Sequence, residues 1–259
     1  AETFNRMLDS LHHAFGRLEE TLDAQQRFVA DASHELRTPL TSIQGNAELL
    51  ARAPDLDPRE RSLALVQIAE EAGRLSRLVN DLLTLARTEA TAMPEFRVVD
   101  LSKVMRAAIT HVGLLAGGRT ISCGAGQPTW VRGSPDALQQ LAIILLDNAI
   151  KYTPPHGRID SRVYAVGDRA IAEVRDDGPG IAPDDLPHVF ERFYRGERSR
   201  CGDGAGLGLA IAAGIAKQHG GTLTVRNVSG AGAAFSLSLP AIRAAQGADV
   251  ERLTAAGGG

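Results

Sequence analysis

The stretch His34-Glu35-Leu36-Arg37-Thr38-Pro39 places a nucleophile, an acid/base partner and a hydroxyl within a turn and a half of helix. Residues four apart on a helix lie one above the other, so His34 and Thr38 share a face, while Glu35 adjoins the imidazole in sequence. The combination points to phosphoryl chemistry on a histidine side chain. Position 38 is threonine, so His34 does not open an H-E-x-x-H zinc site, and a metalloprotease is excluded on spacing.

Three further clusters carry candidate chemistry. Asp147-Asn148-Ala149-Ile150-Lys151-Tyr152 ends a helical run: an amide oxygen at Asn148 suits a hard cation such as Mg2+, and Lys151, on the same face, suits a phosphate oxygen. A solvated helix end would look the same. Asp176-Asp177-Gly178-Pro179-Gly180 follows a strand-like run. Its glycines permit close backbone approach to a flat ligand, and Asp176 can accept a hydrogen bond from the exocyclic amine of adenine. An ordinary Asp/Gly turn is the competing description. Gly202-Asp203-Gly204-Ala205-Gly206-Leu207-Gly208-Leu209 leads into a helix, a setting in which backbone N–H groups face an anion; the alternative is flexibility alone. Neither G-x-G-x-x-G nor G-x-x-x-x-G-K-[ST] is present, so the Rossmann and P-loop readings fail. Between the last two clusters, residues 190–200 begin aromatic and become basic, as a lid would. Arg192 and Arg195 are its candidate phosphate contacts, with Arg198 and Arg200 solvated alternatives.

The elements that must hold these residues fall into two groups. A three/four alternation runs Leu8, Leu11, Phe15, Leu18, Leu22, Gln25, Val29, Ala32, Leu36, Pro39, Ile43, Asn46, Leu50, and a second runs Leu65, Ile68, Ala72, Leu75, Val79, Leu82, Ala86. Ala53-Pro54-Asp55-Leu56-Asp57-Pro58 separates them, predicting an antiparallel helical hairpin. Two narrow seams bury their stripes best when two hairpins pair, so a homodimeric four-helix bundle is expected. Pro39 predicts a kink beside His34.

After Pro94 the pattern becomes α/β. Strands are expected over Phe96–Val99, Thr120–Cys123, Arg158–Val166, Ala170–Arg175, Thr222–Asn227 and Ala234–Leu239, with helices over Leu101–Leu115, Pro135–Tyr152, Pro183–Phe190 and Leu207–His219. The fold class is thus a helical hairpin followed by an α/β sandwich with a mixed sheet.

Bulk properties restrict the function classes. The 259 residues are 44% apolar and 23% charged with net charge −3, and no basic block indicates nucleic acid or anionic membrane as a partner. No run of about 18 apolar residues suggests a bilayer span. Cys123 and Cys201 form no CxxC pattern, consistent with a reducing, cytosolic compartment. Asn227-Val228-Ser229 matches a glycosylation sequon, read as chance in a chain without a signal peptide. The other histidines, 12, 13, 111, 156, 188 and 219, are read as surface or cap residues. The chain opens already in helical pattern with no capping sequence, which points to further protein upstream.

Taken in order, these clusters resemble the H, N, G1, F and G2 boxes of bacterial two-component sensor histidine kinases, in the subfamily with an H-E-x-x-T dimerisation helix. The match covers residues 21–240, and Phe4-Asn5-Arg6-Met7-Leu8 resembles the end of a HAMP signal-relay helix. The resemblance implies a signal-relay helix over 1–20, a dimerisation and phosphotransfer domain over 21–92, a catalytic ATP-binding domain over 93–240 and a flexible tail over 241–259. It implies that His34 attacks the γ-phosphate of ATP, that Glu35 orients and deprotonates it, and that Thr38 positions water for dephosphorylating a response regulator. ATP and Mg2+ are the implied cofactors: Asn148 for the metal, Lys151 and Tyr152 for phosphates, Asp176 with Gly178 and Gly180 for adenine, and Gly204, Gly206, Leu207, Gly208 and Leu209 for the triphosphate beside the lid. The implied partners are a second copy and a cognate regulator docking near 41–52 and 62–75. The implied setting is the cytoplasmic portion of an inner-membrane protein tethered by an upstream sensor region.

One departure stands out: the family often has a second asparagine one turn before the metal ligand, where this chain has Ile144. The metal shell is then Asn148, ATP oxygens and water, or Ile144 simply faces the core. Two other readings compete. A gyrase/Hsp90/mismatch-repair type ATPase would lack the histidine hairpin and need a glutamate base near position 144. A relay scaffold with a decayed nucleotide domain is supported only by Ile144.

Overall fold

The computed structural model describes residues 2–53, 55–89, 95–124, 127–196, 204–228 and 232–242. These divide into a helical unit ending at Leu82 and a second unit from Leu83 onward. Arg198, Arg200, Cys201, Asp203, Ser229 and the tail beyond Ile242 lie outside the described residues, as do most side chains of the relay segment 1–20.

Helix α1 spans Glu2–Arg52 and α2 begins at Pro58 and runs to Glu89, so that its residues from Leu83 onward belong to the second unit. Asp57 starts α2: its Oδ1 accepts the Arg59 N–H at 2.8 Å and Pro58 takes the first helical position, where a missing N–H costs nothing. The helical assignment of α1 continues through Pro39, which is buried. From Ala32 onward the first seam lies inside as expected, through Ala32, Leu36, Pro39, Ile43, Asn46 and Leu50, whereas Leu22 and Val29 are exposed.

The second seam differs from its expected register. Ala64, Leu78 and Leu85 are buried and Glu71 half-buried, at strict seven-residue intervals, with Ile68, Leu75 and Leu82 half-buried between them. Leu65, Val79, Ala72 and Ala86 face outward instead. The helix is apolar on two adjoining stripes, so sequence alternation alone did not say which one the hairpin covers. The outer stripe, with Leu63, Leu65, Val66 and Val79, remains open in the single chain.

The second unit is a seven-stranded mixed sheet in the order β1-β3-β7-β5-β4-β2, with β6 paired to β7. The strands are β1 Arg97–Asp100, β2 Thr120–Cys123, β3 Trp130–Gly133, β4 Arg158–Val166, β5 Arg169–Asp176, β6 Thr222–Asn227 and β7 Ala233–Ile242. Among the described residues only β2 and β4 pair in parallel. The helices are α3 Leu101–Val112, followed by one 3-10 turn, α4 Pro135–Tyr152 and α5 Gly208–Gln218. Alternation along β4 and β5 buries Ile159, Ser161, Val163, Ala170, Ala172, Val174 and Asp176 on one face. That face meets Met105, Leu138, Leu141, Leu145, Ile211 and Ile215 from the helices, while Arg158, Arg162, Tyr164 and Arg175 point to solvent.

Two expectations are corrected here. Residues 183–190 form consecutive turns rather than a helix, because Pro187 has no N–H to donate and its ring disfavours helical backbone at Leu186. Strand β3 had no counterpart in the sequence reading. The five residues between Gln127-Pro128 and Ser134-Pro135 look like loop, and pairing with β1 and β7 makes the last four of them a strand.

His111, His156 and His188 are exposed, but His219 is 5% exposed and locks two helices. Its Nδ1–H donates to the Ile215 carbonyl at 2.7 Å, and its Nε2 accepts the Ser134 N–H at 3.0 Å, at the N-cap of α4. The ring stacks on Phe96 at 4.7 Å, and a Cβ at Gly133 would lie 2.5 Å from it. Burial holds the imidazole below its ordinary value, opposed by the Ile215 carbonyl. The unfolded chain therefore binds a proton there before the folded one does. The stabilisation is complete above about pH 6.5 and declines as pH falls through that range. Urea unfolding followed by the fluorescence of Trp130 should show a lower midpoint at about pH 5.5 than at about pH 7.5. The drop should be smaller in His219→Gln, and an equal drop would contradict the lock.

Candidate active site

In the helical unit His34 is exposed on α1. His34, Arg37, Thr38, Thr41 and Ser42 recur at i, i+3, i+4, i+7 and i+8, forming one face and lining a shallow depression of about 470 Å3. Thr38 Oγ1 donates back to the His34 carbonyl at 3.3 Å, and Thr41 Oγ1 to the Arg37 carbonyl at 2.9 Å. Both hydroxyls thereby sit on the histidine's own face, with oxygen lone pairs directed outward. Glu35 pairs with Arg74 of α2 at 3.9 Å, each side chain about one-third exposed (32% and 31%). That contact fixes the carboxylate beside the imidazole in sequence while leaving it wet. Arg74 carried no role in the sequence reading; nothing in its local pattern marks it, since the pairing exists only across the hairpin.

In the second unit the remaining candidates converge from four directions. Asp176 ends β5, 4% exposed, and its Oδ1 accepts two backbone N–H groups, Gly178 at 2.8 Å and Ala233 at 3.2 Å. Its Oδ2 has no hydrogen-bond partner among the described residues. Burial raises the Asp176 carboxyl above its ordinary value, the Gly178 and Ala233 bonds pull it down, and Asp177 adds a small upward push. An oriented, half-satisfied carboxylate at a strand end is suited to receive one N–H donor from a ligand.

Around it the backbone packs so closely that side chains are excluded. A Cβ at Gly178 would lie 2.7 Å from Asp176 Oδ1 and 2.9 Å from the Tyr152 carbonyl, so the C-terminus of α4 abuts this turn. A Cβ at Gly204 would lie 3.5 Å from Lys151 Nζ, placing the ammonium beside the glycine loop. The same ammonium lies 5.4 Å from the Tyr152 ring centroid. At Gly206, where φ is +74°, a Cβ would lie 2.7 Å from the Tyr194 carbonyl. Gly208 opens α5 against Ile144, whose Cγ2 would be 3.4 Å from an added Cβ. Ile144 is therefore a packing residue between α4 and the start of α5.

Helix α5 begins at Gly208 without a side-chain cap. Its first N–H groups, those of Gly208 and Leu209 among them, thus suit an anion, reinforced by the helix dipole. Asn148 is half-buried, one turn before the end of α4. With Lys151 near Gly204 and the uncapped α5 start, the donor set fits a polyphosphate. One amide oxygen at Asn148 fits a Mg2+ that keeps several waters.

The lid segment is tied at its base. Tyr194 donates its hydroxyl to Asp185 Oδ1 at 2.6 Å, and this bond, with the charges of Asp185, Glu191 and Asp184, pushes the phenol up to about 12. A Cβ at Gly196 would collide with Asp185, and Phe193 takes φ +60°. Arg192 and Arg195 are half-buried in this segment. A larger groove of about 800 Å3 among Trp130, Arg162, Tyr164 and Ile242 contains none of the residues selected from sequence. Asn227 is the residue that sequence reasoning missed. It holds the backbone of Ile181 through both ends of its amide.

Comparison with known proteins bears on this geometry. Residues 24–91 match the His Kinase A (phospho-acceptor) domain, and residues 133–243 the family of histidine kinase-, DNA gyrase B- and HSP90-like ATPases. The signal transduction histidine-protein kinase/phosphatase MprB of Mycolicibacterium smegmatis is 38% identical over 255 residues, covering 93% of this chain and 49% of that one. The chain spans about half the length of the curated relatives it matches. Among solved structures, a mycobacterial sensor histidine kinase MprB aligns with TM-score 0.51 and 32% identity, over 56% of this chain and 97% of that one. Full-length ShkA in complex with AMPPNP aligns with TM-score 0.61 and 31% identity, over 81% of this chain and 44% of that one.

The close approach at Gly206 gives a direct test. Gly206→Ala should destabilise the second unit by about 2 kcal/mol, because it adds a Cβ at positive φ against backbone that cannot yield. Gly45→Ala, in open space on α1, should be neutral or stabilising by up to about 1 kcal/mol. Chemical denaturation of both variants measures the contrast.

Proposed function

The chain belongs to the two-component sensor histidine kinases, and on that premise we propose that it transfers the γ-phosphoryl group of ATP to His34 and thence to an aspartate of a response regulator. The observation that carries the nucleotide half is Asp176, with Oδ1 held by two N–H groups and Oδ2 left for the adenine amine. Gly178 and Gly180 let the turn pack against the Tyr152 carbonyl and the Asn227 amide, which sets the wall proposed to face the base. Lys151, Tyr152, Gly204, Gly206, Leu207, Gly208 and Leu209 hold the phosphates, with Arg192 and Arg195 reaching in from the lid. Asn148 holds Mg2+, which when bound would neutralise charge on the β- and γ-phosphates. ShkA, seen with AMPPNP, supports the nucleotide class.

His34 attacks through a neutral ring nitrogen, and Glu35 accepts its ring proton and steadies the tautomer. The bond from the γ-phosphorus to the bridging oxygen breaks as the N–P bond forms, and ADP leaves. Phosphohistidine is a reactive phosphoryl donor, and the N–P bond breaks as a regulator aspartate oxygen forms its bond to phosphorus, returning the imidazole to its starting state. Thr38, on the face of His34, positions a water for the reverse arm, dephosphorylation of that regulator; the kinase/phosphatase name of the MprB relative supports this arm.

The open apolar stripe of Leu63, Leu65, Val66 and Val79 supports homodimerisation through a four-helix bundle, with the regulator docking near 41–52 and 62–75. The domain limits are 21–92 for the phosphotransfer domain and 93–240 for the catalytic one. A HAMP-type relay over 1–20 and an upstream membrane-tethered sensor complete the proposed protein. No helix among the described residues is long and apolar enough to cross a membrane.

Incubation with γ-labelled ATP should place acid-labile label on the protein, and His34→Ala should reduce it to background. Persistent label in that variant would refute the acceptor assignment. Steady phosphate release without any labelling would favour a plain ATPase. Thr38→Ala should retain autophosphorylation within about twofold while slowing regulator dephosphorylation by about tenfold or more, as loss of one water-positioning group does. Equal loss of both activities would argue against a separate role for Thr38.

A further inference from the structure

We propose that Asn227 is a positioning residue for nucleotide binding, its carboxamide serving as an extra rung of sheet that pins the loop between the Asp176 carboxylate and the lid. The proposal rests on the reading of Asp176 as part of the nucleotide site. Asn227 Nδ2 donates to the Ile181 carbonyl at 2.7 Å, and its Oδ1 accepts the Ile181 N–H at 2.8 Å. One side chain thus satisfies both backbone groups of one residue, as a neighbouring antiparallel strand does. Asp177 is tied to β4 through the Arg158 carbonyl, at 3.1 Å, and beyond it the Asn227 carboxamide supplies both hydrogen bonds to the Ile181 backbone seen among the described residues.

The location makes the contact consequential. Asn227 is the last residue of β6 and pairs across the ladder with Ala233, whose N–H donates to Asp176 Oδ1. The same β6–β7 end therefore orients the carboxylate through Ala233 and holds the following loop through Asn227. Gly180, between them, has φ +72°, and a Cβ there would lie 3.1 Å from Asn227 Oδ1, so glycine is needed for the side chain to reach Ile181. From Ile181 the chain enters the 182–196 segment, whose end at Phe193 and Tyr194 backs Gly206 of the phosphate loop. Releasing Ile181 would loosen the adenine turn and the lid together. Asn227 is exposed on a strand with one neighbour, so the loss falls on the loop and not on the core.

Removing two solvent-accessible hydrogen bonds that preorganise a loop should weaken nucleotide binding by about tenfold without touching the reacting groups. Asn227→Ala should therefore raise the calorimetric Kd for Mg-AMPPNP and the KM for ATP by about that factor. The rate of His34 labelling at saturating ATP should stay near wild type. Asn227→Asp provides a readout that simple loss of packing would not move. Its carboxylate can still accept the Ile181 N–H, but its second oxygen opposes the Ile181 carbonyl until a proton converts it to a donor like the amide. Measured against wild type at the same pH, its binding deficit should shrink as pH falls from about 7.5 to about 4, near the ordinary carboxylate range, whereas that of Asn227→Ala should stay constant. The neighbouring ionisable groups, Asp176, Asp177 and Arg226 with its partner Glu173 at 3.1 Å, are common to all three proteins and cancel in the ratio.

Binding of Asn227→Ala equal to wild type, or an Asn227→Asp deficit independent of pH, would overturn the proposal; should the alanine variant unfold, the aspartate series decides alone. Asp176→Ala separates the two levels. If it also binds Mg-AMPPNP normally, the nucleotide reading itself fails, and if it alone loses binding, only the role of Asn227 fails.

Discussion

The start of β7 runs so close to the end of β5 that a Cβ at Gly232 would lie 1.8 Å from the Asp176 carbonyl oxygen. No side chain survives that approach, and the rest of the candidate nucleotide site follows from it. Because the backbones touch, the Ala233 N–H reaches Asp176 Oδ1, and with the Gly178 N–H it turns the carboxylate so that Oδ2 is left over. A buried carboxylate would ordinarily be costly, and two N–H donors on one oxygen offset part of that cost without using up its capacity to bind. The same crowding extends outward through Gly178 against the Tyr152 carbonyl and Gly206 against the Tyr194 carbonyl. Gly178, Gly206 and Gly232 are therefore places where two backbones meet, and each contact fixes one wall relative to the next.

The helical unit obeys a different constraint. The proposed acceptor, His34, is reachable on the surface, and its surroundings are hydroxyls and a wet ion pair and not a packed pocket. What the unit buries is the inner stripe of Ala64 and Leu78, interrupted by Glu71, one of whose carboxylate oxygens is buried without a hydrogen-bond partner among the described residues. The outer apolar stripe stays exposed in the single chain, as it would in a hairpin that acquires its core by pairing with a second one. The proposed acceptor and the proposed nucleotide site thus sit on units built by separate rules: the first keeps its candidate groups exposed, the second orients them by backbone contact.

Much of this was legible in the sequence where a local rule decides the outcome. The strands Thr120–Cys123, Arg158–Val166 and Thr222–Asn227 and the helix Pro135–Tyr152 have the expected limits because alternation, caps and turn residues agree there. The clusters around Asn148, Asp176 and Gly206 were visible as residue types, and the structure brings them together. What escaped depends on contacts between distant segments. Strand β3 exists through its partners, the covered stripe of α2 was chosen by the hairpin, and residues 183–190 lost their helix to Pro187. Asn227 looked like a chance sequon and His219 like a cap, because neither Ile181 nor Ser134 is near them in sequence.

The central claim is that the open oxygen of Asp176 reads the base, and discrimination between bases tests it most directly. Adenine presents an amino donor where guanine presents a carbonyl oxygen, and an acceptor facing an acceptor in a buried site is strongly disfavoured. Calorimetric titration of the protein with Mg-AMPPNP and Mg-GMPPNP under identical conditions should give affinities differing by about 100-fold or more in favour of adenine. Equal affinity for the two would contradict the account.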